Sequence, residues 1–270
     1  MIVKTLRNAA AALVLATGGA MAAGGAGYVE DYDFAHEGPF GTYDRAQLQR
    51  GFEVYNNVCS SCHGLELVYF RNLMEDSGPG LPQAYVEKVA SFYFVPDDSL
   101  GAFPGDEREA KISDRFPGSS MENAPDLSLM AKARAGFSGP YGLGINQLLF
   151  GMGGPEYIAS LLTHYTGSEK EEAGTLFYGN ETYPGGYIAM APPLWGDDVV
   201  FEDGSPTDLE SLSIDVAAFL MWTAEPKLVQ RKQMGLIGVL MLSILTVLLY
   251  FTNKKLWYPI KHRNAPTPAE

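Results

Sequence analysis

Both cysteines of this 270-residue chain fall in one pentapeptide, Cys59-Ser60-Ser61-Cys62-His63. The spacing places two thiols three residues apart on a turning backbone. Each can then bond one vinyl-derived carbon of a porphyrin, while the adjacent imidazole projects under the ring to bind iron. C-x-x-C-H is the attachment pattern of a c-type haem. A thioredoxin-like redox pair would sit within a βαβ pattern, and none surrounds these residues. A zinc site would need a second ligand pair at suitable spacing, and none follows. With no other cysteine in the chain, a disulfide scaffold is excluded.

The two ends are expected to lie outside the globular fold. Lys4 and Arg7 precede the apolar run Ala9 to Ala16, and Ala20-Met21-Ala22 offers a small-residue cleavage site, so residues 1–22 read as a secretory signal peptide. Near the other end, the 19 residues from Met234 to Thr252 carry no charge. At 1.5 Å per residue they span roughly 28 Å, close to a bilayer's hydrocarbon core of about 30 Å. Arg231 and Lys232 close that run on one side and Lys254 and Lys255 on the other, with Trp257 and Tyr258 suited to a membrane interface. The expected organisation is an exported domain over 23–226, a transmembrane anchor over 227–255 and a cytoplasmic tail over 256–270. In a bacterium this means a single-pass inner-membrane protein with its domain in the periplasm.

Between those ends, residues 23–226 hold 10 lysines and arginines against 31 aspartates and glutamates, a net charge of −21. Such a surface excludes nucleic acid as a partner and steers cationic partners at rates that fall with salt. With 46% apolar residues, 14 Phe and 15 Tyr, the chain as a whole has ample material for a packed core.

The domain reads as mainly α with long loops. Leu48, Phe52 and Tyr55 share one face of a helix expected over Thr42–Val58, which runs straight into Cys59. Residues 78–120 are dense in Gly, Pro, Asp and Glu and read as loops. Asp126 can cap a short helix through Arg134, ended by Gly136, and a helical turn is expected around Ile145 to Phe150. Thr163 to Pro193 reads as another loop zone. A last helix follows the capping box Thr207-Asp208-Leu209-Glu210, with Leu209, Leu212, Val216 and Phe219 as its apolar stripe.

With His63 on one side of an iron, the second axial position needs another ligand. Met121, Met152 and Met190 are candidates, with His164 and His36 as outsiders. Met190 is favoured by Ala191-Pro192-Pro193, whose prolines fix φ and hold an extended loop rigid. A thioether ligand would raise the reduction potential relative to a second histidine. Haem propionates need cations, and Arg134 stands between the two ligand regions in sequence.

Several further stretches carry a resemblance. They are Glu37-Gly38-Pro39-Phe40-Gly41, Gln49-Arg50-Gly51-Phe52, Asn123-Ala124-Pro125-Asp126-Leu127-Ser128, Ala131-Lys132-Ala133-Arg134, Gly153-Gly154-Pro155-Glu156-Tyr157, Met190-Ala191-Pro192-Pro193-Leu194, Phe219-Leu220-Met221-Trp222 and Thr252-Asn253-Lys254-Lys255-Leu256-Trp257. With the pentapeptide, and in this order, they resemble the cytochrome c1 family of the ubiquinol–cytochrome c oxidoreductases (cytochrome bc1 complexes), alphaproteobacterial members above all. The resemblance implies a class I cytochrome c-like haem domain with one C-terminal transmembrane helix. It implies one covalently bound haem c, with thioethers at Cys59 and Cys62, axial ligands His63 and Met190, Arg134 near a propionate and Pro125 packed beside the ring. It further implies an electron-transfer subunit that is not an enzyme on its own. One electron would pass from the Rieske iron–sulfur protein to this haem and on to a basic cytochrome c, with the anchor in lipid against cytochrome b, in a dimeric complex. Two other readings stay open on the residues alone: an anchored cytochrome of another respiratory or photosynthetic complex, and a haem sensor or peroxidase with an open sixth position. One departure stands out. Some bacterial members of the family carry an extra cysteine pair in an insertion before the methionine loop, whereas Thr163 to Gly186 is shorter here and has no cysteine.

Overall fold

A computed structural model of the chain describes residues 27–97, 103, 105–134 and 153–262. The expected signal peptide and the helical turn expected around Ile145 to Phe150 lie outside the described residues.

The described part of the chain is mainly helical. Helix α1 spans Arg45–Asn57, α2 Gln83–Ala90, α3 Met130–Ala133, α4 Gly154–Thr163, α5 Leu209–Ala224 and α6 Leu228–Lys261. Asp44 caps α1 by accepting from the amide of Ala46, and Asp208 caps α5 by accepting from that of Ser211. The α5 cap thus sits one residue later than the expected box. Residues up to Lys227 and those from Leu228 onward form two separate units. The second is the 34-residue α6, long and apolar enough to cross a membrane. It stays helical through Lys261, beyond the expected end of the anchor at 255.

Within the first unit, α1 and α5 form the framework. Leu48, Phe52 and Tyr55 are buried as their spacing predicts, and Leu212, Val216 and Phe219 are equally closed off, while Leu209 is half-buried. The two helices approach so closely at Gly51 that a Cβ there would overlap the Asp215 carbonyl oxygen. Next to that contact, Arg50 donates from Nε and Nη2 to the two Asp215 carboxylate oxygens at 2.6 and 3.0 Å. Phe52 and Tyr55 pack on Phe219 at 5.6 and 5.8 Å between ring centroids, and Tyr55 meets Phe116 edge-on. Phe116 in turn lies 4.0 Å from Phe70, so an aromatic column runs from the α1–α5 pair into the segment after His63.

Two stretches expected to be loops hold regular structure. Residues 78–120 contain α2 and an antiparallel pair, β1 (Phe94–Pro96) with β2 (Glu107–Glu109). The Thr163–Pro193 zone is a three-stranded antiparallel sheet of β3 (Tyr165–Glu172), β4 (Thr175–Asn180) and β5 (Tyr187–Ile188), ordered β3-β4-β5. Nearly all of β3 is exposed, so both its faces accept polar residues and the alternation that signals a strand is missing. The short helix expected from Asp126 to Arg134 is shorter still, because Asp126 is used in a turn: it accepts from the Ser128 amide at 2.9 Å, and α3 begins only at Met130.

Candidate functional site

The Cys59–His63 turn grows directly out of α1. Cys59–Ser61 forms a single 3₁₀ turn, and the amides of Cys62 and His63 both donate to the Cys59 carbonyl, at 3.2 and 2.9 Å. Ser60 and Ser61 return their hydroxyls to the carbonyls of Asn56 and Val58. The buried Tyr55 donates its hydroxyl to the His63 carbonyl at 3.0 Å, tying the turn to the aromatic column. Neither cysteine is in a disulfide. Cys59 is half-buried as a residue, yet its thiol is enclosed enough for desolvation to push its pKa up to about 12. A thiol that stays protonated at neutral pH is a poor redox nucleophile.

The segment 117–128 clasps the other side of the turn. The Ser120 amide donates to the Cys62 carbonyl and its hydroxyl to that of Ser61 at 2.7 Å. Gly64 donates to Ser119 Oγ, and its carbonyl accepts from Leu127. A Cβ at Gly64 would overlap the Gly118 backbone, so only glycine lets the two strands of chain approach this closely. Asp126 Oδ2 takes the Glu66 amide at 2.8 Å, and Ser128 Oγ takes that of Leu67. This clamp sets the carbonyl of Pro125 2.7 Å from His63 Nδ1. A carbonyl can only accept, so Nδ1 carries a proton, and Nε2 is the nitrogen left to bind a metal. That is the arrangement of a histidine metal ligand, with its second nitrogen anchored to the protein.

The other candidates occupy distinct places. Met190 is half-buried on the loop after β5, where its carbonyl accepts from Tyr165 Oη at 3.1 Å. The hydrogen bond that reaches Met190 therefore comes from the sheet and not from the Cys59–His63 turn. Met121 is exposed, and Met152 lies outside the described residues. His36 is buried and stacked between Phe34 and Tyr43, each ring centroid 5.2 Å away. His164 is engaged at both nitrogens: Nδ1 meets Thr163 Oγ1 at 2.9 Å and the Ser160 carbonyl at 3.0 Å, and Nε2 faces Glu30 at 3.6 Å. Arg134 is exposed, with its guanidinium carbon 5.5 Å from the centre of the Tyr157 ring. Pro125 is exposed and acts through its carbonyl.

Residue patterns placed Tyr55 on the apolar face of α1 without its tie to His63, and did not single out Ser119, Ser120 or Tyr165. The one readable signal was Asp126-Leu127-Ser128 directly after Pro125, an Asx turn in the making.

The model of the family described as the Cytochrome C1 family matches residues 34–260. The chain belongs to the cytochrome c1 family. It is 48% identical to a cytochrome c1 of Cereibacter sphaeroides, over 97% of this chain and 98% of that one. It is 45% identical to a cytochrome c1 of Rhodobacter capsulatus over 97% and 99% of the two chains. It also matches a cytochrome b/c1 of Bradyrhizobium diazoefficiens, with 39% identity over 82% of this chain and 34% of that longer one. Membership makes haem the cofactor class and electron carriage the role. The residues present fit that group: two free thiols on one turn, followed by an imidazole whose Nδ1 is already committed to Pro125.

Proposed function

We propose that this chain is the haem-bearing subunit of a quinol-oxidising cytochrome bc1 complex, with one haem c joined through thioethers to Cys59 and Cys62 and its iron ligated by His63 Nε2 and the Met190 sulfur. The observation that carries the reading is the 2.7 Å contact between His63 Nδ1 and the Pro125 carbonyl at the end of the C-x-x-C-H turn. When bound, the haem supplies a one-electron iron couple. The protein's own work is positional. The 117–128 clamp fixes the imidazole, and Pro125 sets its tautomer and strengthens its donor character. The sheet holds the loop that presents Met190. Arg134 and Pro125 are assigned to a propionate and to the ring surface.

The same reading places residues 23–226 in the periplasm after removal of 1–22, one span over 227–255 in the inner membrane, and 256–270 in the cytoplasm. Its electron donor is a Rieske iron–sulfur protein and its acceptor a basic cytochrome c, drawn by the acidic surface. Cytochrome b lies beside the anchor, in a dimeric assembly. The Bradyrhizobium relative, whose name joins b and c1 in one polypeptide, supports cytochrome b as a neighbour.

The test is purification from the membrane, followed by pigment retention after denaturation, a reduced-minus-oxidised spectrum and a redox titration. We expect covalent pigment, a c-type band, a clearly positive potential, and copurifying cytochrome b and Rieske protein. Cys59→Ala with Cys62→Ala should abolish covalent pigment. A five-coordinate spectrum, or carbon monoxide binding to intact ferrous protein at neutral pH, would leave the sixth position open and sink the ligand assignment.

A further inference from the structure

No cysteine lies near the Met190 loop in sequence, so its rigidity must come from packing and hydrogen bonds. Asn180, buried at the end of β4, accepts from the amides of Thr182 and Tyr183 and donates to the Leu161 carbonyl. This turns the chain back on itself. Its backbone amide donates to the Gly186 carbonyl, and β5 then pairs with β4 through Gly179–Tyr187 and Tyr178–Ile188. Pairing stops at Ile188, two residues short of Met190. On the far side, Pro192 and Pro193 have no amide hydrogen, and the next buried anchor is Leu194. Between Ile188 and Leu194 the backbone is tied at the Met190 carbonyl by Tyr165, whose phenol reaches it at 3.1 Å. Tyr165 opens β3 opposite Asn180, so its own position is set by the sheet.

We infer that Tyr165 is the positioning residue of the Met190 loop: its hydroxyl pins the backbone of Met190 and so sets how firmly the thioether is presented to the iron. The inference rests on the reading of Met190 as axial ligand. A single neutral hydrogen bond of this kind shifts an equilibrium by about two- to tenfold.

The experiment uses the full-length, haem-loaded protein in detergent and titrates ferric protein with imidazole, which competes for the sixth position. Tyr165→Phe keeps the ring and removes only the donor, and Met190→Leu serves as reference. We expect Tyr165→Phe to bind imidazole about two- to tenfold more tightly than wild type at the same pH. Backbone amides of 187–191 should also exchange faster. A role confined to packing would lower the thermal midpoint and leave imidazole affinity unchanged, and that result overturns the inference. If Tyr165→Leu alone loosens the loop, the ring and not the hydroxyl is responsible, which also overturns it. If Met190→Leu itself leaves imidazole binding unchanged, the ligand reading fails and the positioning role falls with it.

Discussion

His63 Nδ1 and the Pro125 carbonyl oxygen stand 2.7 Å apart although 62 residues separate them, and Asp126 is the residue that holds the carbonyl in place. Its two oxygens take the amides of Glu66 and Ser128, one on each side of the clasp. Asp126→Ala should keep covalent haem and cost about 1 kcal/mol for each lost bond. A slacker hydrogen bond makes the imidazole a weaker donor to the ferric iron. The reduction potential should therefore rise while the thermal midpoint falls. A potential equal to wild type in a destabilised variant would show that the clamp matters for stability alone.

Met190→Leu removes the thioether and retains an apolar side chain of similar volume. Pigment should remain covalent, because Cys59 and Cys62 are untouched, while the potential drops sharply and the ferrous protein gains carbon monoxide binding. The expected change is in the iron's ligand field, so absorption and redox titration are the measurements. An unchanged potential removes Met190 from the ligand set.

How much of this was legible beforehand depends on the range of the interaction. The C-x-x-C-H turn, the stripes of α1 and α5 and the apolar run of α6 are local patterns, and the sequence displays them directly. The sheet before Met190 was hidden. Its first strand, Tyr165–Glu172, is exposed and charged after Tyr165, so nothing alternates, and Gly167 and Gly179 read as loop residues. Helix α2 was masked by the Pro and acidic residues around it. The tie between Tyr165 and Met190, the Arg50–Asp215 pair and the Pro125 contact depend on how distant segments return, which no local period encodes. The roles of Met190, Arg134 and Pro125 came from family resemblance more than from spacing.

The α1–α5 crossing has its own test. Since a Cβ at Gly51 would overlap the Asp215 carbonyl, Gly51→Ala must push the two helices apart and strain the adjoining Arg50–Asp215 pair. Overpacking of this kind costs typically 1–3 kcal/mol, and disturbing the partly buried ion pair adds to it. The thermal midpoint should fall by several degrees, about 2–4 °C for each kcal/mol in a domain this size. Ala218→Gly, at a buried α5 position, would cost about 1 kcal/mol from helix propensity. If Gly51→Ala proves no worse than that control, the crossing is not limiting.

The acceptor proposed above is a basic cytochrome c, so its dock is expected on an exposed acidic surface. Asp198 accepts from the amides of Trp195 and Gly196, Asp197 from Thr207, and Asp97 faces Arg108. Their carboxylates are used within the fold. Asp197 and Asp198 are exposed as well, and Glu169 and Glu171 stand exposed along β3. Glu169→Lys with Glu171→Lys should slow reduction of a basic cytochrome c by about threefold to tenfold at low ionic strength, with the difference vanishing at high salt. Equal rates at low salt would move the dock elsewhere.

Glu37 and Glu156 bring two carboxyl groups together where the segment before α1 meets the first turn of α4. Glu156 is 5% exposed, and among the described residues each group has one buried oxygen that no donor reaches. Burial, reinforced by the hydrogen bond and charge of Glu156 and then by Asp31 and Asp33, lifts the Glu37 pKa up to about 9. In the unfolded chain the same group ionises near the ordinary glutamate value of about 4.3. Between those two values the folded state holds a proton that the unfolded state has released. Stability therefore falls as pH rises through this window, and the contribution is fully present only below it. Glu37→Gln keeps a donor toward Glu156 and has no proton to lose. The variant should match wild type near pH 5, exceed it by about 2 °C or more near pH 8, and show a flatter midpoint-versus-pH profile between. Glu156→Gln should relieve the same repulsion from the other side. Parallel profiles for wild type and both variants would mean that Glu37 ionises alike in the folded and unfolded chain, and the raised value would have to be abandoned.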